Sequence, residues 1–178
     1  MNTRTAPRFA VLAIAAALAL TGCAAADSAA PTAASNAGDT VTIADPWVKA
    51  ADEGMSAAFG ELSNSGEADV TIVSASTEAS AAVELHETVE NESGAMVMRE
   101  KDSGFTIPAG GSLMLAPGGN HLMLMGLTEP LTAGQEATFI LKFSDDSTYE
   151  FTATAKDFAG ANESYEGGDM DTEMDMDE

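Results

Sequence analysis

Short apolar runs with a period of two, separated by turn sequences, fill the middle of the chain from Val41 to Phe158. This period places alternate side chains on the two faces of a strand, as in a half-buried β-sheet. No long segment here shows helical periodicity with caps, so we expect an all-β fold. The predicted strands are Val70–Ala75, Val83–Thr88, Met96–Arg99, Ser112–Leu115, His121–Leu127, Ala137–Phe143 and Tyr149–Ala155.

Turn sequences rich in Gly, Pro, Asn, Asp and Ser separate these runs. They occupy residues 91–94, 108–111, 117–120 and 144–147. Short strands spaced by roughly ten residues favour an antiparallel sandwich or barrel. We therefore predict one domain of that kind over residues 41–158.

The first 22 residues have the pattern of a secretory signal peptide. Arg4 and Arg8 precede the apolar run Phe9–Leu20, which is shorter than the roughly 20 residues that cross a bilayer. The run ends in Leu-Thr-Gly-Cys, which resembles a bacterial lipobox, a signal for attaching lipid to the Cys thiol. Cys23, the only cysteine of the chain, is therefore the predicted lipidation site.

Segments of biased composition flank the predicted domain. Residues 23–40 are mostly Ala, Ser, Thr and Asn, which predicts a flexible, lipid-anchored tether. Residues 159–178 form an acidic tail that contains Met170, Met174 and Met176, and such a block of like charges is expected to be disordered. We therefore expect an extracytoplasmic protein, held by its lipid at the outer face of the bacterial cell membrane.

The charge of the chain argues against two classes of partner. It has 7 Lys and Arg against 29 Asp and Glu, a formal net charge of −22. Nucleic-acid binding depends on Lys and Arg at the phosphates, and docking on anionic lipid needs basic charge. We expect no nucleic-acid partner, and membrane attachment only through the lipid anchor.

The familiar catalytic motifs are absent from the sequence. There is no G-x-S-x-G elbow, no H-E-x-x-H pair and no phosphate-binding loop. Carboxylates are numerous, but an acidic surface usually only interacts with solvent, so no catalytic pair can be picked out. We therefore predict that the protein is not an enzyme.

The two histidines of the chain, His86 and His121, lie near methionines on predicted strands. Alternation places Met96 and Met98 on one strand face, and likewise His121 and Met123. One interpretation is a metal site; the other is that methionines fill gaps in the core, which we prefer for Met114 and Met125.

Thioether chemistry indicates which metal such a site would take. Cu(I) prefers soft sulfur and accepts imidazole, and two His with two Met carry no negative charge, which suits a monovalent ion. Zn²⁺ prefers Cys, additional His or carboxylates as ligands. The chain offers only its two His, although the carboxylate of Glu84 or Glu87 could assist them. A blue-copper site is excluded because it needs a Cys ligand.

Four segments occur together in an order typical of one family: Leu-His-Glu-Thr at 85–88, Met-Val-Met-Arg at 96–99, Ile-Pro-Ala-Gly-Gly at 107–111 and Pro-Gly-Gly-Asn-His-Leu-Met-Leu-Met-Gly-Leu at 117–127. They resemble the PCuAC family of extracytoplasmic copper chaperones, which have a cupredoxin-like β-fold. The resemblance covers about residues 41–156. Within it, residues 45–48 fit the first strand of the family and residues 57–59 the second.

The resemblance implies a Cu(I) site, whose ligands carry over to His86, Met98, His121 and Met123. Two spacings depart from the family pattern by one residue each. Eleven residues separate His86 from Met98, and 22 separate Met98 from His121. Loop insertions explain both differences, but the first leaves Met96 as an alternative ligand to Met98.

The resemblance also implies a role: delivery of Cu(I) for assembly of the copper centre of cytochrome c oxidase. The expected partner is then a copper-accepting protein, an oxidase subunit. An alternative is a copper-sequestering or copper-uptake lipoprotein with no oxidase role. A further hypothesis is that Met170, Met174 and Met176 recruit copper ions to the folded site.

Overall fold

Eleven strands and one helical turn make up the part of the chain that the computed structural model describes, residues 35–160 and the backbone of 164–165. The helical turn α1 spans Ala37–Thr40. The strands are β1 Val41–Lys49, β2 Ser56–Asn64, β3 Val70–Thr77, β4 Ser80–Glu90, β5 Met96–Glu100, β6 Phe105–Ile107, β7 Ser112–Leu115, β8 His121–Leu127, β9 Glu136–Phe143, β10 Thr148–Lys156 and β11 Ser164–Tyr165. The all-β prediction is confirmed.

Seven of these strands close into a barrel in the order β4-β8-β2-β1-β10-β9-β3. The ring closes where β3 pairs with β4, at Ala75 and Val83. Its neighbours are antiparallel except for β1 and β10, which are parallel where Trp47 lies opposite Thr154. Three further strands pair with strands of this barrel: β5 with β4, β6 with β3 and β7 with β2. The predicted barrel is therefore present, with one parallel pair in it.

The barrel interior is filled by every second side chain of its strands. Strand β9 alternates strictly between exposed and buried residues, and its buried Phe139, Leu141 and Phe143 belong to the core. On β4 and β8 the core members are Leu85 and the pair Leu122 and Leu124. Because side chains alternate, the residues next to these leucines project to the outer face of the barrel.

Each predicted turn lies between two strands, at 91–94, 108–111, 117–120 and 144–147. Strand β6 was not predicted, since three residues are too few to show a period. It pairs with β3, and its Phe105 and Ile107 are buried in the core.

The ordered domain begins before Val41. The Ala37 N–H donates to Asp145 Oδ2 at 2.8 Å, and the Gly38 N–H donates to Ser147 Oγ at 2.9 Å. The hydrogen bonds from Ala37 and then Ser147 hold the pKa of Asp145 below its usual 3.8. Composition does not reveal these contacts of residues 37 and 38 with a turn so distant in sequence, and the boundary of the predicted tether stays a prediction.

A short strand lies within residues 159–178, the segment that we predict to be a disordered tail. The backbone of Ser164 and Tyr165 forms β11, parallel to Val97 and Met98 of β5. The predicted signal peptide, Cys23 and the methionines Met170, Met174 and Met176 lie outside the described residues. Within the described part, no helix has the length and apolar character needed to span a membrane.

A glycine in the turn before β6 gives a test of the close packing against β3. Gly104 has a φ of +74°, and a Cβ there would lie 2.2 Å from the Ile72 carbonyl oxygen. Gly104→Ala should lower the free energy of unfolding by about 3–5 kcal/mol, from left-handed backbone strain plus overlap with β3. Chemical denaturation measures the change.

The matched control for this substitution is Gly134→Ala. Gly134 has a φ of +89°, but a Cβ there meets nothing within 4 Å, so the expected cost is the backbone strain alone, about 1–2 kcal/mol. Equal losses of stability in the two variants would contradict the close packing of Gly104 against β3.

Candidate metal centre

The two histidines come together as a cross-strand pair on the outer face of the barrel. His86 of β4 lies opposite His121 of β8, with ring centroids 5.5 Å apart. Both imidazoles are buried, although neither belongs to the barrel core. The pairing of β4 with β8 thus places two nitrogen donors next to each other, away from bulk water.

Hydrogen bonds orient both imidazole rings. His86 Nε2 donates to Glu84 Oε2 at 2.8 Å, and His121 Nδ1 donates to the Gly119 carbonyl at 2.9 Å. A neutral imidazole that donates from one nitrogen carries its lone pair on the other. A metal at this pair would therefore bind through His86 Nδ1 and His121 Nε2, and both atoms are buried. Such oriented imidazoles are typical of metal sites.

Two methionines lie on the same outer face. Met123 is opposite Glu84 in the β4–β8 pair, and Met98 is opposite Thr88 in the β4–β5 pair. Both are buried, and both line one cavity of about 290 Å³ together with His121. The structure thus brings three of the four predicted ligands around one space, with His86 packed against the ring of His121.

The alternative ligand Met96 lies elsewhere on β5. It is 50% exposed, against 8% for Met98, and it pairs with Glu90 towards the end of the hairpin. Met98 borders the cavity and Met96 is not among the residues that line it. The geometry therefore favours Met98 over Met96, and this choice stays a prediction.

An aromatic cluster forms one wall of the cavity. Phe59 of β2 lines it, with its ring centroid 6.2 Å from that of His121. Trp47 packs on Phe59 at 4.4 Å, and Phe158 packs on Trp47 at 5.3 Å. These rings exclude water beside the imidazole. The sequence predicts strands at residues 47 and 59 but indicates no role for them at the site.

The turn 117–120 forms part of the rim. Pro117 and Gly118 line the cavity, and Gly118 has a φ of +77°, which favours glycine. The Gly119 carbonyl accepts hydrogen bonds from His121 Nδ1 and from Thr88 Oγ1. The turn thus places the Gly119 carbonyl where it orients the His121 ring.

Two other residues at the rim were not predicted, Lys49 and Met55. Both belong to the end of β1 and the loop after it, where no His or Met motif drew attention. The assignment of Met114 to the core is also corrected: it is 54% exposed on β7, a strand at the margin of the barrel with one face open to solvent.

Ion pairs hold β5 against β4 beside the site. Glu87 accepts hydrogen bonds from Arg99, whose Nη2 is 2.8 Å from Oε1, and from Lys101 Nζ. Lys101 and then Arg99 hold the pKa of Glu87 below its usual 4.5. Since Glu87 follows His86 and Arg99 follows Met98, these contacts fix the two strands close to the candidate ligands.

The donors gathered here are imidazole and thioether groups. Among residues 35–160, no three His, Cys, Asp or Glu side chains are grouped so that they could hold a metal ion. Soft, neutral donors of this kind suit a cuprous ion better than a hard divalent cation.

Comparison with known proteins identifies relatives over most of the chain. A family model described as "Putative lipoprotein LpqE-like" matches residues 41–155. A protein of Leifsonia xyli subsp. xyli (strain CTCB07), named "Putative lipoprotein Lxx21020", is 49% identical over 150 residues, which are 84% of this chain and 90% of that protein.

Solved structures with the same fold include an apo PCuAC domain and a protein in its Cu(I) form. The apo PCuAC domain of PmoF1 matches with a TM-score of 0.57 at 19% identity, over 67% of this chain and 95% of that one. CuI-DR1885 from Deinococcus radiodurans matches with a TM-score of 0.53 at 28% identity, over 68% of this chain and 83% of that one. The predicted cupredoxin-like fold and the resemblance to PCuAC domains are confirmed.

The β4–β5 ion pairs give a pH-dependent prediction. Because the folded-state pKa of Glu87 is lowered, its contribution is present above the usual 4.5 and is lost as the pH falls through the lowered value. Glu87→Gln should reduce the free energy of unfolding at pH 7 by about 1 kcal/mol. Denaturation at pH 7 and pH 3 should show this difference shrinking in acid.

Glu92→Gln is the control, since Glu92 lies exposed in the turn between the same two strands. It removes one carboxylate without touching the contacts to Arg99 and Lys101. A Glu87→Gln variant as stable as Glu92→Gln at pH 7 would show that these ion pairs do not hold the strands together.

Proposed function

The chain belongs to the LpqE-like lipoprotein family, and from that premise we propose that it is an extracytoplasmic copper(I) chaperone. The proposed ligands for one Cu(I) ion are His86, Met98, His121 and Met123. The observation that carries the proposal is the cavity bordered by His121, Met98 and Met123, with His86 paired to His121 across β4 and β8.

The donor set and its surroundings support Cu(I) as the cargo. Two imidazoles and two thioethers are neutral, and the Phe59 wall next to them is apolar. A monovalent ion in such surroundings leaves less uncompensated charge than a divalent one would. The Deinococcus radiodurans protein of the same fold has been solved in a Cu(I) form.

The position of the site suits a carrier. The donors lie on the outer face of the barrel, so copper can enter and leave without opening the core. Neutral thioethers are weak ligands that exchange readily, whereas a closed thiolate cage would retain the ion. We therefore infer that the protein transports copper rather than catalysing a reaction with it.

We place this carrier at the outer face of the bacterial cell membrane, held by lipid on Cys23. The lipoprotein name of the Leifsonia xyli relative supports an anchor. Each buried acyl CH₂ contributes about 0.8 kcal/mol, so several chains would hold the protein without basic charge. The copper site would then face the extracytoplasmic side, where copper is collected and handed over.

The proposal predicts one tight Cu(I) equivalent in the full chain. In an anaerobic titration against a chromophoric cuprous chelator, His86→Ala and Met123→Ala should each weaken binding by about tenfold or more, because a lost ligand costs at least about 1.4 kcal/mol. Met98→Leu should do the same. Met96→Leu and Met125→Leu should bind like the wild type, since neither residue lines the cavity.

Two results would contradict the assignment. Equal Cu(I) affinity in the wild type and in His86→Ala would show that His86 is not a ligand. Weakened binding in Met96→Leu, with Met98→Leu unchanged, would transfer the ligand role to the alternative methionine. Thermal unfolding of each variant without metal shows whether a loss of affinity comes from misfolding.

For the copper acceptor we propose an oxidase subunit, so that the protein serves assembly of the copper centre of cytochrome c oxidase. Deletion of the gene should then lower oxidase activity, and added copper should restore it. A strain that keeps full oxidase activity but becomes sensitive to copper would instead favour the copper-sequestering or copper-uptake lipoprotein. Re-expression of the His86→Ala variant in the deletion strain tests whether the metal site itself is needed.

The tail hypothesis remains a prediction, because Met170, Met174 and Met176 lie outside the described residues. Its support is positional. Tyr165 pairs beside Met98, and Met170 follows five residues later, within a reach of about 17 Å. This chain length would allow the Met170 thioether to reach the cavity, which is the support for proposing that the tail recruits copper.

A further inference from the structure

Met55 carries a thioether at the mouth of the candidate copper cavity. It ends the loop between β1 and β2 and lines the same space as Met98, His121 and Met123. Of the six methionines among residues 35–160, three line this cavity. Met55 is the exposed one, at 48%, whereas Met98 and Met123 are 8% and 6% exposed.

The backbone on both sides of Met55 is held in place. The Leu127 N–H donates to the Gly54 carbonyl at 2.8 Å, and Ser56 Oγ donates to the Lys49 carbonyl. The side chain itself has freedom, since an unbranched thioether has three rotatable bonds. Met55 therefore combines a fixed attachment point with a sulfur that can turn inwards or outwards.

Other residues at the rim do not offer a comparable donor. Lys49 lines the cavity, but an ammonium has no lone pair for a metal, and Lys49 Nζ donates to the Gly160 carbonyl at 3.2 Å. Pro117 and Gly118 bring no donor side chain. Among Lys49, Met55, Pro117 and Gly118, only Met55 presents soft sulfur towards solvent.

We propose that Met55 is a further Cu(I) ligand, which binds the ion as it passes between the buried donors and an outside donor or acceptor. This inference rests on the proposed copper site. During entry, a bond from the Met55 sulfur to copper forms while copper loses a ligand of its donor. In the next step a buried thioether or imidazole replaces Met55. Copper stays Cu(I) throughout, and no proton moves, because a thioether is neutral.

Exchange through Met55 predicts an effect on rates rather than on equilibrium affinity. Met55→Leu keeps the volume and apolar character of the side chain and removes the sulfur. In stopped-flow mixing of the full chain with a chromophoric cuprous chelator, the rates of Cu(I) loading and of Cu(I) release should each fall about fivefold. This corresponds to a rise of about 1 kcal/mol in the activation barrier. The equilibrium affinity should stay within about twofold of the wild type.

Met114→Leu is the matched control. Met114 is similarly exposed, at 54%, but borders a different surface depression, next to Trp47 and Glu61. The same substitution there should leave both rates unchanged. A slowing in both variants would show that any exposed methionine collects copper, and would overturn the specific role of Met55.

A second measurement detects the contact between Met55 and Cu(I) directly. In the full chain labelled with ¹³C at the methionine methyl groups, Cu(I) below one equivalent should shift or broaden the Met55 signal, identified by its absence in Met55→Leu. The Met114 signal should stay in place.

The outcomes separate this inference from the proposed function. Wild-type binding of one Cu(I), with unchanged rates in Met55→Leu and an unmoved methyl signal, would overturn the role of Met55 and leave the site intact. A loss of equilibrium affinity by about tenfold in Met55→Leu would overturn exchange in favour of a resident ligand. A wild type that binds no Cu(I) would overturn both.

Discussion

The antiparallel pairing of β4 with β8 is the constraint on which the candidate site depends. Alternation along the two strands sends Leu85, Leu122 and Leu124 into the barrel core, and the same alternation sends His86 and His121 to the outer face. A slip of one residue in the register would bury the imidazoles in the core and expose the leucines. Burial of the leucines therefore fixes the position of the two imidazoles.

The rest of the molecule converts that outer face into a sheltered site. Strand β5 extends the sheet beyond β4 and supplies Met98, held by the contacts of Glu87 with Arg99 and Lys101. Phe59 and the turn 117–120 close the other sides. The candidate ligands are therefore buried without entering the core, so exchange of a metal ion at this face would not require the barrel to open.

Much of this was predictable from the sequence, for identifiable reasons. Strand β8 was predicted with its observed bounds, His121–Leu127, because its alternating pattern lies between two clear turns. The pairing of His86 with His121, and the role of Phe59 in the wall, depend on which strands become neighbours, and a period of two does not contain that information. Met55 was missed for the same reason: its loop meets the site only after the barrel closes.

Charge and donor chemistry act at different distances in such a protein. A net charge of −22 attracts cations of every kind, but salt screens that attraction beyond about 8–10 Å, and it does not distinguish copper from calcium or magnesium. At the cavity, thioether and imidazole replace carboxylate as the available donors. Hard cations gain little from leaving water for such ligands, whereas Cu(I) gains soft sulfur. In the proposed copper site, selectivity would therefore come from the few neutral side chains on β4, β5 and β8, and the acidic surface would contribute only to the local supply of ions.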